Sequence, residues 1–380
     1  MWLSRRISLS VKMLVHQKRR LVLSLSAMSF TVLIMFMELG FFNGINDSQS
    51  RLPPTFNADL VMMDRKSIHL NKFEKMARIR LHQVRMFDEV QDIVPVFKGN
   101  VGMKNRETEL TKLIFVLAFP PDSDPLKIPG YAENKEELKK QGTILFDRLS
   151  RKIFGEVRPG EHVEINGRLF RVGGFVEMGP NFSIDGTILM SDSTWLWGRW
   201  TGGMDSIAYG LVRAKPGTDV QALKRKILTE LPNDILVLTP DEMRRREVFH
   251  TIKAAPLGAI FGVGMVIGFI IGVIICYQIL YNEITDHMPQ YATLRAMGFS
   301  DRFLMNVVVQ EALWLSILGF VPGVIAAYLL YRGVEDYTGI LMAFTAGRML
   351  LIFFLTVFMC TVAGVIAVKK VIKADPAELY

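Results

Sequence analysis

Residue types that usually carry chemistry are thinly and irregularly spread along this chain. The six histidines, His16, His69, His82, His162, His250 and His287, share no metal-ligand spacing, and Cys276 and Cys360 form no zinc-type or redox pair in sequence. There is no GxSxG elbow, no HExxH helix and no GxxxxGK[ST] loop to cradle the phosphates of ATP. Gly258, Gly262, Gly264, Gly268 and Gly272 lie in an apolar run and make no phosphate loop. No residue is assigned to catalysis, a metal or a cofactor. What remains is surface chemistry in PQYATLRAMGFSDRF, residues 289–303, a short polar interruption between two apolar runs. On a helix there, Leu294, Met297 and Phe299 offer an apolar face and Arg295 an orienting charge, the ingredients of docking into a partner's groove. A helix that only ties two membrane spans together fits the same residues.

The elements that must hold this stretch are read from hydropathy. Half of the residues are hydrophobic, at 50%, and the mean hydropathy is +0.26, yet charge is nearly absent from residues 21–42, 254–280, 303–331 and 349–368. Each window can cross a hydrocarbon core of about 30 Å, which takes roughly 20 helical residues. The expected architecture is therefore a membrane protein with four transmembrane α-helices, one plus three, and a large mixed α/β extracytoplasmic domain between the first and second. Its expected divisions are a cytoplasmic interfacial helix 1–20, spans 21–43, 253–282, 303–331 and 348–369, an outer domain 44–252, a cytoplasmic coupling loop 283–302, an outer loop 332–347 and a cytoplasmic tail 370–380.

Orientation follows from the basic residues. Arg5, Arg6, Lys12, Lys18, Arg19 and Arg20 precede the first span and Lys369, Lys370 and Lys373 follow the last, which places both termini in the cytoplasm. The net charge of +8 is thereby explained by a membrane surface rather than by nucleic acid. Trp2, Leu3, Ile7, Val11, Leu14 and Val15 suit a helix lying on lipid headgroups, or an ordinary flank of the first span. Glu38, near the outer end of that span, is either a functional carboxylate or an interfacial one. The long apolar region reads as a retained anchor rather than a cleaved signal. Gly264, Gly268 and Gly272, and then Gly319, Gly323 and Ala327, repeat every four residues, the pattern of close helix packing within the chain or with a second copy. Pro322 allows a kink in the third span.

In the outer domain, strands are expected at 58–64, 112–118, 187–190, 207–213 and 235–238, and helices at 72–83, 133–140 and 218–231. A hairpin over 161–176 should turn at Asn166 and Gly167 in a type I′ conformation. Gly173-Gly174 and Gly202-Gly203 read as turns. Thr239, Pro240 and Glu242 form a capping box that opens a helix running toward the second span, with a break near Pro256. No Gly/Ser linker separates the two.

At this point the residues carry a family resemblance. Tyr291-Ala292-Thr293-Leu294-Arg295-Ala296-Met297-Gly298 resembles the segment between the first two of three C-terminal spans in FtsX/MacB-type ABC transporter permeases, and Asp375-Pro376-Ala377-Glu378 is similar to their tail. The sequence at 11–44 is most similar to the DevC-type subgroup. The resemblance implies a MacB-type periplasmic core fold, a non-catalytic subunit of the inner membrane, and mechanotransmission: a separate ATPase dimer closes on ATP, pushes the short cytoplasmic helix and moves the outer domain. It implies ATPase coupling through Tyr291, Leu294, Arg295, Met297 and Gly298, a homodimer, a periplasmic adaptor, a TolC-type outer-membrane channel, membrane lipid around the spans, and glycolipid efflux. Release of lipoproteins as in the LolC/LolE type, or control of cell-wall hydrolases as in FtsX, are the alternatives it leaves.

Overall fold

The computed structural model describes residues 18–68, 73–181, 183–198, 204–254, 257–289, 297–298, 300–338 and 342–373. In chain order its helices and strands are α1 (Lys18–Gln49), α2 (Leu52–Thr55), β1 (Leu60–Asp64), β2 (Met76–Ala77), α3 (Ile79–Arg85), β3 (Val90–Lys104), β4 (Thr111–Phe119), α4 (Tyr131–Asn134), β5 (Thr143–Asp147), β6 (His162–Ile165), β7 (Arg168–Val176), β8 (Thr187–Ser191), α5 (Asp192–Trp197), β9 (Ser206–Ile207), β10 (Tyr209–Ala214), α6 (Val220–Glu230), β11 (Ile235–Leu238), α7 (Pro240–Ala254), α8 (Leu257–Asp286), α9 (Asp301–Thr338) and α10 (Ala346–Lys373). Contacts divide them into two units, one of residues 1–43, 257–334 and 342–380, the other of 44–256 and 335–341.

Among the described residues, four helices are long and apolar enough to cross a membrane, at Leu21–Ser48, Ala259–Asp286, Met305–Tyr337 and Ala346–Lys369. One precedes the α/β domain and three follow it, which makes this a membrane protein of the one-plus-three kind. Helix α9 continues through Pro322.

The second unit is built on a mixed sheet ordered β11-β1-β10-β3-β4-β8-β5-β7-β6, with β6 also pairing to β3. That last pairing joins β3, β4, β8, β5, β7 and β6 into a ring. Strand β3 makes this possible by its length: Val90 to Val96 pair with β10, Phe97 to Lys104 with β4, and Met103 and Lys104 with β6. Pairs β4–β8 and β5–β7 are parallel and the others antiparallel. One cluster of buried side chains includes Leu60, Met62, Val116, Phe170 and Val212, and a second includes Val61, Met63, Phe115, Leu117 and Leu211. Alternate residues of the same strands feed the two clusters, as a sheet covered on both faces requires.

Local chemistry explains several elements. Asn166 and Gly167 join β6 to β7 with φ of 47° and 77°, the left-handed pair that a type I′ turn needs. Asp219 opens α6 by accepting from the N–H groups of Gln221 and Ala222, at 2.9 and 3.2 Å.

Three expectations are corrected. The helix at 72–83 is shorter, Ile79–Arg85, because Met76 is buried and pairs with Ile207, so sheet pairing claims the preceding residues. The charged stretch at 133–140 is four residues of α-helix followed by a 3₁₀ turn at Lys135–Lys139. Only Tyr131 and Leu138 are buried there, too few apolar contacts to hold a longer amphipathic helix. Gly173 and Gly174 are inside β7, not in a turn. The β5–β7 register skips Gly173, and a Cβ there would lie 2.7 Å from Glu137 Cβ, so a bulge and a close crossing segment demand glycine.

Candidate coupling and packing site

The stretch between α8 and α9 is held at both ends by helix geometry. α8 ends at Asp286, and the His287 N–H still donates to the Glu283 carbonyl at 3.1 Å. Met297 is 62% exposed. Gly298 has φ of 88°, the left-handed conformation of a closing glycine. The Phe303 N–H then donates to the Ser300 carbonyl at 2.8 Å as α9 begins. Tyr291, Leu294, Arg295 and Phe299 lie outside the described residues, as do the terminal helix at 2–17 and the Asp375–Glu378 motif.

The glycine rows of α8 and α9 meet α1. A Cβ at Gly264 would lie 2.6 Å from Glu38 Oε2, and one at Gly268 would lie 3.3 Å from Ile34 Cγ2. At Gly272 it would meet Thr31 and, from α10, the Met359 sulfur. On α9, Gly319 faces Met28 and Gly323 faces Val32, with Cβ distances of 2.5 Å and 2.8 Å. The Ser29 hydroxyl donates to the Gly319 carbonyl at 3.0 Å, and the Tyr331 hydroxyl donates to the Phe36 carbonyl. The first span is therefore seated in two glycine-lined grooves, one on each neighbouring helix. Ala327, third in its row, is fully buried.

Features that hydropathy did not single out also lie in these spans. Glu311 of α9 is buried and faces Glu283 of α8. A lone carboxylate within an apolar run was the available signal. Cys276 and Cys360, 84 residues apart in sequence, bring their Sγ atoms to 3.1 Å, with Met28 Sδ 3.5 Å from Cys276. No sequence spacing could have shown that pair.

In the outer domain, α7 opens with a reciprocal cap. The Glu242 N–H donates to Thr239 Oγ1 at 3.2 Å while Glu242 Oε2 accepts from the Thr239 N–H at 2.8 Å and from Lys224 at 2.6 Å. Burial pushes the Glu242 carboxyl up, but the Lys224 ammonium and the Thr239 N–H outweigh it and hold the group below the usual carboxylate range. Farther along, Glu247 is buried and acts on Lys98 of β3. The Lys98 ammonium is buried too, 4.0 Å from the Phe73 ring centroid and 3.5 Å from Tyr209 Oη. Burial lowers its pKa to about 7, with Glu247 opposing the drop. A charged face thus joins the helix leading to the second span to the centre of the sheet. Among the described residues, no group of three or more His, Cys, Asp or Glu could hold a metal ion.

Two family models match the chain on either side of residues 231–257. The MacB-like periplasmic core domain model matches residues 21–230, and the FtsX-like permease C-terminal model matches residues 258–376. No curated protein matches the chain. Among solved structures, the periplasmic region of MacB from Actinobacillus actinomycetemcomitans is similar at 13% identity, over 50% of this chain and 92% of that one, with a TM-score of 0.36. The extracellular domain of the noncanonic ABC-type transporter YknZ from Gram-positive bacteria is 10% identical over 48% and 100%, with a TM-score of 0.33. A domain of a permease protein from Porphyromonas gingivalis is 20% identical over 48% and 90%, also with a TM-score of 0.33. The first family model alone spans more than half of the chain, and the second takes in the three later spans. The chain belongs to the FtsX-like permeases with a MacB-like periplasmic core domain, membrane subunits of ABC-type transporters that work with ATPase partners.

Proposed function

We propose that this chain is the mechanotransmitting permease of a tripartite efflux complex of the DevC type, exporting a glycolipid. A separate ATPase dimer drives it from the cytoplasm, and an adaptor and a TolC-type channel continue the path beyond the outer domain. The chain works as a homodimer in the inner membrane with both termini in the cytoplasm. The observation that carries this reading is that the last strand of the sheet leads straight into a long helix. β11 passes directly into α7, α7 is capped at Thr239 and reaches Ala254, and α8 resumes at Leu257. Helices transmit displacement where a flexible linker would absorb it.

In this reading Tyr291, Leu294, Arg295, Met297 and Gly298 receive the ATPase. The apolar side chains fill its groove and Arg295 sets the orientation. Reconstitution with the partner ATPase tests it. Leu294→Asp should leave insertion intact and abolish stimulation of ATP turnover; unchanged turnover and co-purification would remove the coupling role. Release of lipidated proteins is the second reading, favoured by the exposed Leu110, Leu113 and Leu169 of the outer domain. Identification of the lipid or lipoprotein retained by the purified complex separates the two.

A further inference from the structure

Beside β10 the outer domain carries more positive charge than its own acids account for. A cavity of about 360 Å³ is lined by Asp59, Lys127, Arg213, Lys215 and Thr218 together with neighbouring polar and small residues. Its volume falls within the roughly 300–1,000 Å³ typical of small-molecule sites. The backbone explains why a cleft forms there. β10 slips its register with β3 between Arg213 and Ala214, and the chain then turns at Pro216 and Gly217, whose φ of 85° suits the third position of a type II turn. The Thr218 N–H closes that turn on the Lys215 carbonyl at 3.1 Å.

Three cations and one carboxylate line the cleft, and the acids around it hold other donors: Asp92, opposite Arg213 on β3, accepts from the Ile93 N–H at 2.8 Å. Asp59 Oδ2 accepts from the Ala214 N–H at 2.8 Å. Asp124 takes Asn57 at 3.3 Å and Lys135 at 4.0 Å, and offers Arg213 only its carbonyl, 3.2 Å from Nη2. Glu89, which acts on Lys215, is bound through Oε1 by Lys226 at 2.7 Å, while its buried Oε2 has no donor. Among the described residues, Lys127, Arg213 and Lys215 therefore have no carboxylate within ion-pair reach. Arg213 Nε is, in addition, buried without an acceptor. A buried donor left unsatisfied is costly, and more so when it is charged. A single anion with several acceptor oxygens can meet all three of these cations at once.

We infer that this cleft binds a phosphate-bearing polar group. Arg213 anchors it, because a planar guanidinium matches two phosphate oxygens at once, and the mobile ammonium groups of Lys127 and Lys215 close on the remaining charge. The site is independent of the transport reading: it asks only that the outer domain fold as described.

Amine labelling of the full chain, read residue by residue by mass spectrometry, tests the site. One arm titrates inorganic phosphate against chloride at equal ionic strength in detergent. The other compares nanodiscs of phosphatidylglycerol with nanodiscs of phosphatidylcholine. Protection of Lys127 and Lys215, with exposed Lys112 unaffected, is the expected result; protection in the first arm identifies a soluble phosphate compound, and protection in the second alone identifies a lipid headgroup. Arg213→Gln should raise the half-protection concentration by about 10-fold, the loss expected for one charged hydrogen-bonding anchor. Lys127→Gln and Lys215→Gln, at exposed positions whose side chains make no hydrogen bond or ion pair with a described residue, should each weaken protection of the other lysine. Labelling of Lys127 and Lys215 that tracks Lys112 in both arms overturns the proposal.

Discussion

In the outer domain the core is built of large apolar side chains such as Met62, Ile188, Phe170 and Val212, whereas in the membrane unit Met28, Met35 and Phe36 share the interior with the small residues Cys276, Ala312, Ala327, Cys360 and Ala363. Ile260, Val263, Ile270, Leu329 and Phe354 are instead exposed on the spans. Water explains the first arrangement, since every large side chain removed from it stabilises the fold. Lipid removes that gain, because acyl chains are as apolar as leucine. Close approach of backbones through small residues then decides which helices associate, and α1 finds its place where glycines let it in.

The largest effect that tests this contrast is in the sheet. Phe170 is fully buried and packs edge-on against Trp197 at 5.2 Å, so Phe170→Ala should cost about 3–5 kcal/mol, seen as an early thermal transition in circular dichroism of the full chain.

The titration of Lys98 comes next. Unfolded, this lysine keeps its proton up to its ordinary pKa of 10.5; folded, burial lowers the value to about 7. Between those values the unfolded chain binds more protons, so stability should rise with pH across that window and lie flat below it. The rise amounts to about 5 kcal/mol, given about 1.4 kcal/mol for each unit of pKa. Lys98→Met should flatten the dependence of the outer-domain melting temperature on pH, and a retained slope would assign it to another group.

A smaller effect separates the two faces of the spans. Gly323→Ile drives a side chain into Val32 and should cost about 1–3 kcal/mol, while Ile270→Ala, at a half-exposed site, should stay within about 0.5 kcal/mol. Thermal aggregation in detergent measures both, and equal losses would break the comparison. At the cap of α7, Thr239→Ala should cost about 1 kcal/mol and raise amide exchange in the first turn of that helix.

Features with short-range causes were legible from residue order. The Asn166-Gly167 hairpin, the Thr239–Glu242 cap and the strand at Ile235–Leu238 follow from turn chemistry, capping and propensity acting within a few residues. Strand β3 was not legible. Its sequence VQDIVPVFKGNVGMK contains Pro95 and no steady alternation, because its two halves pair with different neighbours. Gly173 was misread for a similar reason: the atoms that require it belong to Glu137 and Thr143, outside its own strand.

The same division runs through the candidate sites. By itself the sequence determined the four spans, their one-plus-three order and the glycine spacing, since hydropathy and small-residue periodicity are properties of a single helix. Tertiary structure alone decided that both glycine rows receive the first span and that Cys276 meets Cys360. It also decided that Glu247 faces Lys98, and that Lys127, brought in from far along the chain, joins Arg213 and Lys215 around one cleft. Those juxtapositions depend on which distant segments the packing brings together, and no local pattern of residues encodes that choice.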